Sequence, residues 1–335
     1  MQVTRGSEVH PFVVEARCAR LAAKAANAAA HAPVAERRNI SRGADQVLIE
    51  IRAASVNPSD VKAATGLMAY AVIARTPGRD RAGVVVDGPA STVGREVFGS
   101  SGDLGVRRDG TYATHLAVEV EAVVDKPQTI FWEEAAGIGV AFVTAMEGFR
   151  RAGLPRPDET VLVIGVNGKI GQAAVQIATW RGAHVIGVVR ESDTNSRVDV
   201  IDASSTDVAV RVRELTEGHG ADIVFNTVGD SYLQAAHRSL ALRGRQILIA
   251  TVDRIVPFNI LEFYRGQHSC VGIDALGLSS IATGAVLREL GAGFASGHLK
   301  PFPINPTAIY LLEGAKRVLV AVAGSSRDRV ILRPA

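Results

Sequence analysis

From Val161 to Ala174 the chain reads Val-Leu-Val-Ile-Gly-Val-Asn-Gly-Lys-Ile-Gly-Gln-Ala-Ala, an apolar run that passes through three glycines into a helix-favouring stretch. This order suits an anion. Gly168 lets the backbone approach a phosphate, Gly171 lets a helix pack against the preceding strand, and the free N–H groups at the helix start face the negative charge. Residues Gly165, Asn167, Gly168, Lys169, Ile170 and Gly171 are therefore candidate contacts to the pyrophosphate of a dinucleotide. The match to G-x-G-x-x-G is partial, because Val166 stands at the first glycine position and Gly165 lies one residue earlier. A tight structural turn is the alternative reading.

The position that discriminates between dinucleotides lies about 20 residues further on, at the end of the next apolar run. It is Arg190. An acidic residue there would bind the ribose hydroxyls of NAD, whereas a guanidinium suits the 2′-phosphate of NADP. Glu191 follows directly and can still serve a ribose, and a solvated Arg190 is the other reading. NADPH is the expected cofactor, with Asn226 and Thr251 as further candidate contacts.

Such a turn needs a strand before it and a helix after it. The pattern predicts a strand over 160–165 and a helix over 169–181, followed by strands over 184–190, 221–226, 246–250 and 269–273 with helices over 208–217 and 231–242 between them. Strand and helix in alternation predict a parallel sheet covered on both faces, an α/β unit. The first third differs: short β-favouring runs at 46–54, 83–86, 96–99 and 115–118 are punctuated by Gly, Pro and Asp and read as a compact β-rich unit. A last strand over 329–333 is expected to rejoin that unit. The apolar strand over 269–273, which carries Cys270 and Val271, is expected at a sheet edge and so to pair two copies as a homodimer.

The 335 residues are 47% hydrophobic, enough for two domains of roughly 150 residues. The 37 basic and 34 acidic residues are interspersed without a basic run, which argues against nucleic-acid or membrane partners. Two cysteines, Cys18 and Cys270, exclude a disulfide framework and fit a reducing compartment, the cytoplasm. The Ala-rich stretch over 21–32 is broken by Lys24, Asn27 and His31, so it reads as mature sequence, and no apolar run reaches the length of about 18 residues that a membrane span requires. No Tyr is followed by Lys at the Tyr-x-x-x-Lys spacing, and no Gly-x-Ser-x-Gly elbow occurs.

Three segments carry a family resemblance. Ala54-Ser-Val-Asn-Pro-Ser-Asp-Val-Lys62 resembles the Asn-Pro-x-Asp stretch of zinc-independent medium-chain dehydrogenase/reductases of the quinone oxidoreductase type. Thr76-Pro-Gly-Arg-Asp-Arg-Ala-Gly83 resembles their Pro-Gly-x-Asp-x-Ala-Gly turn, and Gly165 to Gly171 their Gly-Ala-x-Gly-Gly-Val-Gly loop. The resemblance implies a GroES-like catalytic domain, residues 1–126 and 274–335, split around a Rossmann domain with a doubly wound parallel sheet, residues 127–273. It also implies metal-free hydride transfer from NADPH to a quinone or α,β-unsaturated carbonyl. Zinc-dependent relatives place a Cys ligand near Asn57 and Gly-His-Glu where this chain has Gly78-Arg79-Asp80, so the soft thiolate and the imidazole are missing.

By the same resemblance Asn57 and Asp60 line the nicotinamide cleft, Tyr70 donates to the substrate carbonyl, and Thr144 reaches the carboxamide. Phe142 and Phe258 would wall a flat acceptor. Each has a plainer role open to it: Asn57 and Asp60 as a helix cap, the others as packing residues. The chain between Arg190 and Val200 is shorter than in these relatives and leaves little room for a helix after the second strand, with Arg197 a second candidate for the 2′-phosphate. An enoyl-thioester reductase and a non-catalytic NADP-binding protein are the competing functions.

Overall fold

Branched apolar residues alternating with polar ones, and then running uninterrupted, give the chain its two kinds of sheet. The structure is a computed structural model that describes residues 12–23, 33–68, 70–190, 198–323 and 328–334. By contact the chain forms two units: Met1–Gly137 with Ser279–Ala285 and Pro303–Ala335, and Ile138–Leu278 with Val286–Phe302.

The first unit opens with β1 (Val13–Arg20) and β2 (Val34–Ser41), an antiparallel pair. It continues through β3 (Gln46–Ser55), α1 (Pro58–Ala64), β4 (Asp80–Asp87), β5 (Glu96–Gly99), β6 (His115–Glu119) and β7 (Val124–Asp125). The core gathers Val47, Ile49 and Ile51 of β3 with Val85, Val97, Leu116 and Val118. Gly83 of β4 is required, because a Cβ there would overlap the Glu50 carbonyl of the neighbouring strand.

The second unit is built from α2 (Trp132–Ala152), β8 (Thr160–Ile164), α3 (Lys169–Trp180), β9 (His184–Val189), β10 (Asp199–Asp202), α4 (Val208–Leu215), β11 (Ala221–Asn226), α5 (Leu233–Arg238), β12 (Leu240–Leu248), α6 (Ile260–Arg265) and β13 (Ser269–Gly272). The first turns of α2 and the start of α7 (Ser280–Ala295) belong to the first unit. The six strands are all parallel, in the order β10-β9-β8-β11-β12-β13. This is the doubly wound order whose reversal falls between β8 and β11. Leu162, Ile164, Ile186, Val188 and Val224 are buried, as a sheet covered on both faces requires.

The chain then returns to the first unit with β14 (Ile309–Leu311), α8 (Ala315–Ala323) and β15 (Ile331–Arg333). β15 pairs antiparallel with β3, as expected of the last strand. The seven-stranded sheet runs β14-β15-β3-β4-β5-β7, with β6 also on β3. The Rossmann and GroES-like architectures are both present.

Two strands of the parallel sheet differ from the sequence reading. β12 begins at Leu240, inside the stretch read as helix, and α5 ends at Arg238. The cause is local: Arg243 takes a φ of 64° and the pairing with β11 shifts register between Ala221 and Ile223, so the apolar Leu240–Ala241 start is interrupted before Arg245. β10 escaped the sequence reading. Only nine residues, 190 to 198, join β9 to β10, fewer than the dozen or so of a usual parallel crossover.

β13 is the edge of the parallel sheet, pairing with β12 alone among the described strands, and Ser269, Cys270 and Gly272 are exposed. An unpaired edge with little charge is a template for a second copy. The expected state is a homodimer, read by light scattering as twice the 35.3 kDa chain; a monomer at micromolar concentration would contradict it.

Candidate functional site

β8 ends at Ile164 and the chain reverses through Gly165, whose φ of 86° belongs to the left-handed region that glycine alone enters freely. A Cβ there would lie 2.5 Å from Thr227 Oγ1. Thr227 Oγ1 instead donates to the Ile164 carbonyl at 2.7 Å, tying the turn to the end of β11. Gly168 caps α3 with an extended backbone, and its N–H donates to the Gly165 carbonyl at 3.0 Å. Gly171 is buried, and a Cβ on it would overlap that same carbonyl. The turn is thus closed by glycines where the helix must touch the strand. The N–H groups of a helix's first turn have no acceptor within the helix, so this end suits an anion. It lies at the sheet's switch point, where open α/β sheets bind their ligands.

The other candidates in this unit distribute as follows. Asn167 is exposed, and its carbonyl accepts from Gln172 Nε2 at 2.9 Å. Ile170 is half-buried in the first turn of α3. The Lys169 ammonium stands 5.3 Å from the Phe302 ring centroid. Arg190 is exposed directly after β9, at the same edge of the sheet as the glycine turn. Asn226, fully buried, pairs with Ile164 in register and holds the next loop: its Oδ1 accepts from the Val228 and Gly229 N–H groups, and its Nδ2 donates to the Gly229 carbonyl. The exposed Thr251 donates from Oγ1 to Asp230 Oδ1 at 3.1 Å. Thr144 is buried within α2, and the neighbouring Phe142 packs on Phe294 and Phe302 with centroids 5.0 and 5.3 Å away. Phe142 is fully buried there, in the packing role, whereas Phe258 is 43% exposed. Glu191 and Arg197 lie outside the described residues. Thr227 went unread, since a lone Thr after a strand gives no signal.

In the first unit Asn57 and Asp60 form the capping box of α1, with the Asn57 N–H donating to Asp60 Oδ2 at 2.8 Å. They do more than cap. Asn57 Nδ2 donates to Asp80 Oδ2 at 3.0 Å, and its Oδ1 accepts from the Arg329 guanidinium at 2.8 Å. Arg329 also donates to Ser55 Oγ and Asp80 Oδ2, and Ser55 Oγ donates to the same Asp80 oxygen at 2.8 Å. Arg79 Nε reaches Asp60 Oδ1 at 3.1 Å while another of its nitrogens contacts Ser59, and Tyr112 donates to Asp60 Oδ2 at 3.2 Å. Asn57, Asp60, Arg79, Asp80, Tyr112 and Arg329 are each no more than 3% exposed. Two guanidiniums and two carboxylates therefore compensate one another in the interior. Burial lowers the pKa of Arg329, and burial followed by the Asp60 charge lifts the Tyr112 phenol well above its usual value. Arg329 and Tyr112 are the members that sequence reasoning missed; a lone Arg preceding Val-Ile-Leu is the faint signal of the first.

Tyr70 belongs to a different environment. It is 43% exposed, in the loop after α1, with the Arg107 guanidinium carbon 5.3 Å from its ring centroid.

A parallel sheet with a glycine turn at its switch point, accompanied by a GroES-like β unit, defines a nicotinamide-dinucleotide oxidoreductase. Residues 43–128 match the alcohol dehydrogenase GroES-like domain, and residues 170–290 match the zinc-binding dehydrogenase family. A zinc-type alcohol dehydrogenase-like protein of Schizosaccharomyces pombe is 35% identical over 260 residues, 76% of this chain and 78% of that protein. A phenolphthiocerol/phthiocerol polyketide synthase of Mycobacterium tuberculosis is 30% identical over 306 residues, 86% of this chain but only 13% of the synthase. Among solved structures, an alcohol dehydrogenase superfamily protein from Novosphingobium aromaticivorans superposes with a TM-score of 0.82 at 27% identity, over 95% of this chain and all of the other. The Escherichia coli quinone oxidoreductase complexed with NADPH shares the fold, with a TM-score of 0.78 at 19% identity over 95% of this chain and all of the other. The chain belongs to the medium-chain dehydrogenase/reductase family and is an oxidoreductase.

The buried ion network generates a stability prediction. Asp80→Asn removes one charge from a compensated set and leaves Arg329 without its carboxylate, so urea unfolding should show a loss of about 3–5 kcal/mol. A loss below about 1 kcal/mol would mean that the Asp80–Arg329 pair carries no more than an exposed pair does.

Proposed function

We propose that the protein reduces a quinone or an α,β-unsaturated carbonyl with NADPH and without zinc. The observation that carries this reading is the conjunction, at one edge of the parallel sheet, of the glycine turn over 165–171 and Arg190 at the end of β9. The turn offers N–H groups to a pyrophosphate, and Arg190 offers a guanidinium to a 2′-phosphate. When bound, the dinucleotide supplies the hydride. The protein's part is to orient the acceptor and meet the negative charge that develops on its oxygen. Tyr70 is the side chain proposed for the second task.

The zinc-free reading rests on charge. Asn57 and Arg79, where zinc-dependent relatives place Cys and His, are engaged with Asp60 and Asp80, and each carboxylate faces a guanidinium. A divalent cation added there would stand among Arg79 and Arg329 with no thiolate or imidazole among the described residues to hold it, so the donor set does not fit zinc. The cytoplasm is the proposed compartment; no described helix is long and apolar enough to cross a membrane. A second acceptor class, an enoyl thioester, is favoured by the 30% identity with a segment of a polyketide synthase.

Three measurements test these proposals. In a panel that follows NADPH absorbance, quinones and enones should be turned over, and chelators should leave the rates unchanged. An exclusive preference for enoyl thioesters selects the second reading, no turnover identifies a cofactor-binding protein, and activity restored by zinc after chelation removes the zinc-free proposal. Arg190→Ala should weaken NADPH binding by about 1.5–3 kcal/mol and leave NADH binding unchanged; equal affinities for both dinucleotides in the unmutated protein would refute the phosphate contact. Tyr70→Phe keeps the ring and removes only the donor, so melting temperature and NADPH affinity should hold while enone turnover falls by roughly 10²-fold, with a smaller loss for quinones. Full turnover with every acceptor would leave Tyr70 as a packing residue.

A further inference from the structure

Where β12 and β13 begin, on the sheet edge opposite the glycine turn, α4, α5 and α6 frame an open hollow of about 610 Å³. That size is within the range of small-molecule sites. Its floor is apolar, with Val210, Leu240, Leu242 and Leu261 all lining it, and Leu242 is 63% exposed. Three guanidiniums, Arg213, Arg238 and Arg265, stand against one carboxylate, Glu262, so the hollow is cationic. Arg213 is engaged with the carbonyls of Gly218, His219 and Leu240, and Arg238 reaches Asp207 at 3.3 Å. Arg265, at the end of α6, is exposed on the rim.

The wall of the hollow is His237, only 4% exposed, which also lines a second hollow of about 380 Å³ beside Phe258. Its ring stacks on Phe263 with centroids 5.8 Å apart and meets the His268 ring edge-on at 4.8 Å. Neither nitrogen of His237 has a hydrogen-bond partner among the described residues, nor has Nδ1 of His268. Burial lowers the pKa of both rings, which favours the neutral form with one N–H donor and one acceptor each. Interiors rarely leave such groups unmade. Three unmade imidazole bonds beside a cationic hollow with an apolar floor call for a ligand that is apolar at one end and an oxygen acceptor at the other.

We propose that this hollow is a binding site, separate from the dinucleotide turn, for a small carboxylate carried on an apolar ring or short chain. The ring or chain lies on Leu242 and Leu261, the carboxylate faces Arg265 and Arg238, and a small turn of the His268 ring opens the His237 N–H to a ligand oxygen. The site stands on the geometry of the second unit alone and does not depend on the cofactor or the acceptor.

Benzoate is the probe. In a titration of the full chain, the carbon-bound ring protons of His237 and His268 should shift along one saturable curve, and benzyl alcohol, with the same ring and no charge, should bind at least about tenfold more weakly. Arg265→Ala and Leu242→Asp alter exposed side chains and should keep the native melting temperature, the first weakening benzoate about tenfold and the second abolishing binding. His237→Phe keeps a ring among the neighbouring aromatic residues and should remove saturable binding as well. A shift that does not saturate overturns the proposal, and so does saturable binding that Arg265→Ala and Leu242→Asp leave unchanged.

Discussion

The buried set of two guanidiniums and two carboxylates is the constraint on which the first unit depends. Taking four charges out of water is unfavourable, and only full mutual compensation with good hydrogen-bond geometry offsets it. Ser55, Asn57, Asp60, Arg79, Asp80, Tyr112 and Arg329 supply that geometry from the end of β3, the cap of α1, the start of β4, the β-rich loop before β6 and the chain just ahead of β15. A displacement of the segments that carry Asp60, Arg79, Asp80 or Arg329 leaves a charge unpaired in the interior, and a displacement of those that carry Ser55 or Tyr112 removes a hydrogen bond from a buried carboxylate, so the network ties these segments together. The loop that carries Asn57 and Asp60 is held from both sides.

The second unit is organised by a steric constraint instead. Gly165 and Gly171 sit where a single methyl group would collide with Thr227 or with the turn's own carbonyl, and the close fit brings the first turn of α3 up to the end of β8. Sequence order then brings the ends of β9 and β11 to the same edge, so Arg190 and Asn226 reach the neighbourhood of the turn through topology rather than through proximity in the chain.

These two constraints explain what was legible in the sequence. A glycine required by contact with its own neighbours leaves a local record, so the strand, turn and helix over 160–180 could be read with their boundaries nearly intact. The parallel strands β8, β9 and β11 were legible because burial on both faces demands uninterrupted apolar runs. Asn57, Asp60 and Asp80 could be picked out as motif residues, but their partners could not, because Tyr112 and Arg329 lie far along the chain and resemble ordinary strand-flanking residues. β2 was silent for another reason: Val34–Ser41 is exposed or half-buried along its whole length, and a strand without a buried face leaves no alternation to detect, while β1 buries only the small side chains of Ala16, Cys18 and Ala19. β12 was misread where Arg243 breaks its register, and no local rule anticipates an interruption that pairing with β11 stabilises.

The position of Arg329 has a consequence for the order of events during synthesis. Ile138 to Leu278, which hold every strand of the parallel sheet, are translated before Arg329, so that sheet has its complete set of strands first. The first unit begins earlier yet ends later. Until residue 329 emerges, Asp80 lacks its guanidinium and β3 lacks β15, so strands of the first unit wait for a residue made 249 positions after Asp80. From residue 80 to residue 329 the nascent chain therefore carries a carboxylate whose interior partner is not yet made, and burying it before then would leave its charge uncompensated.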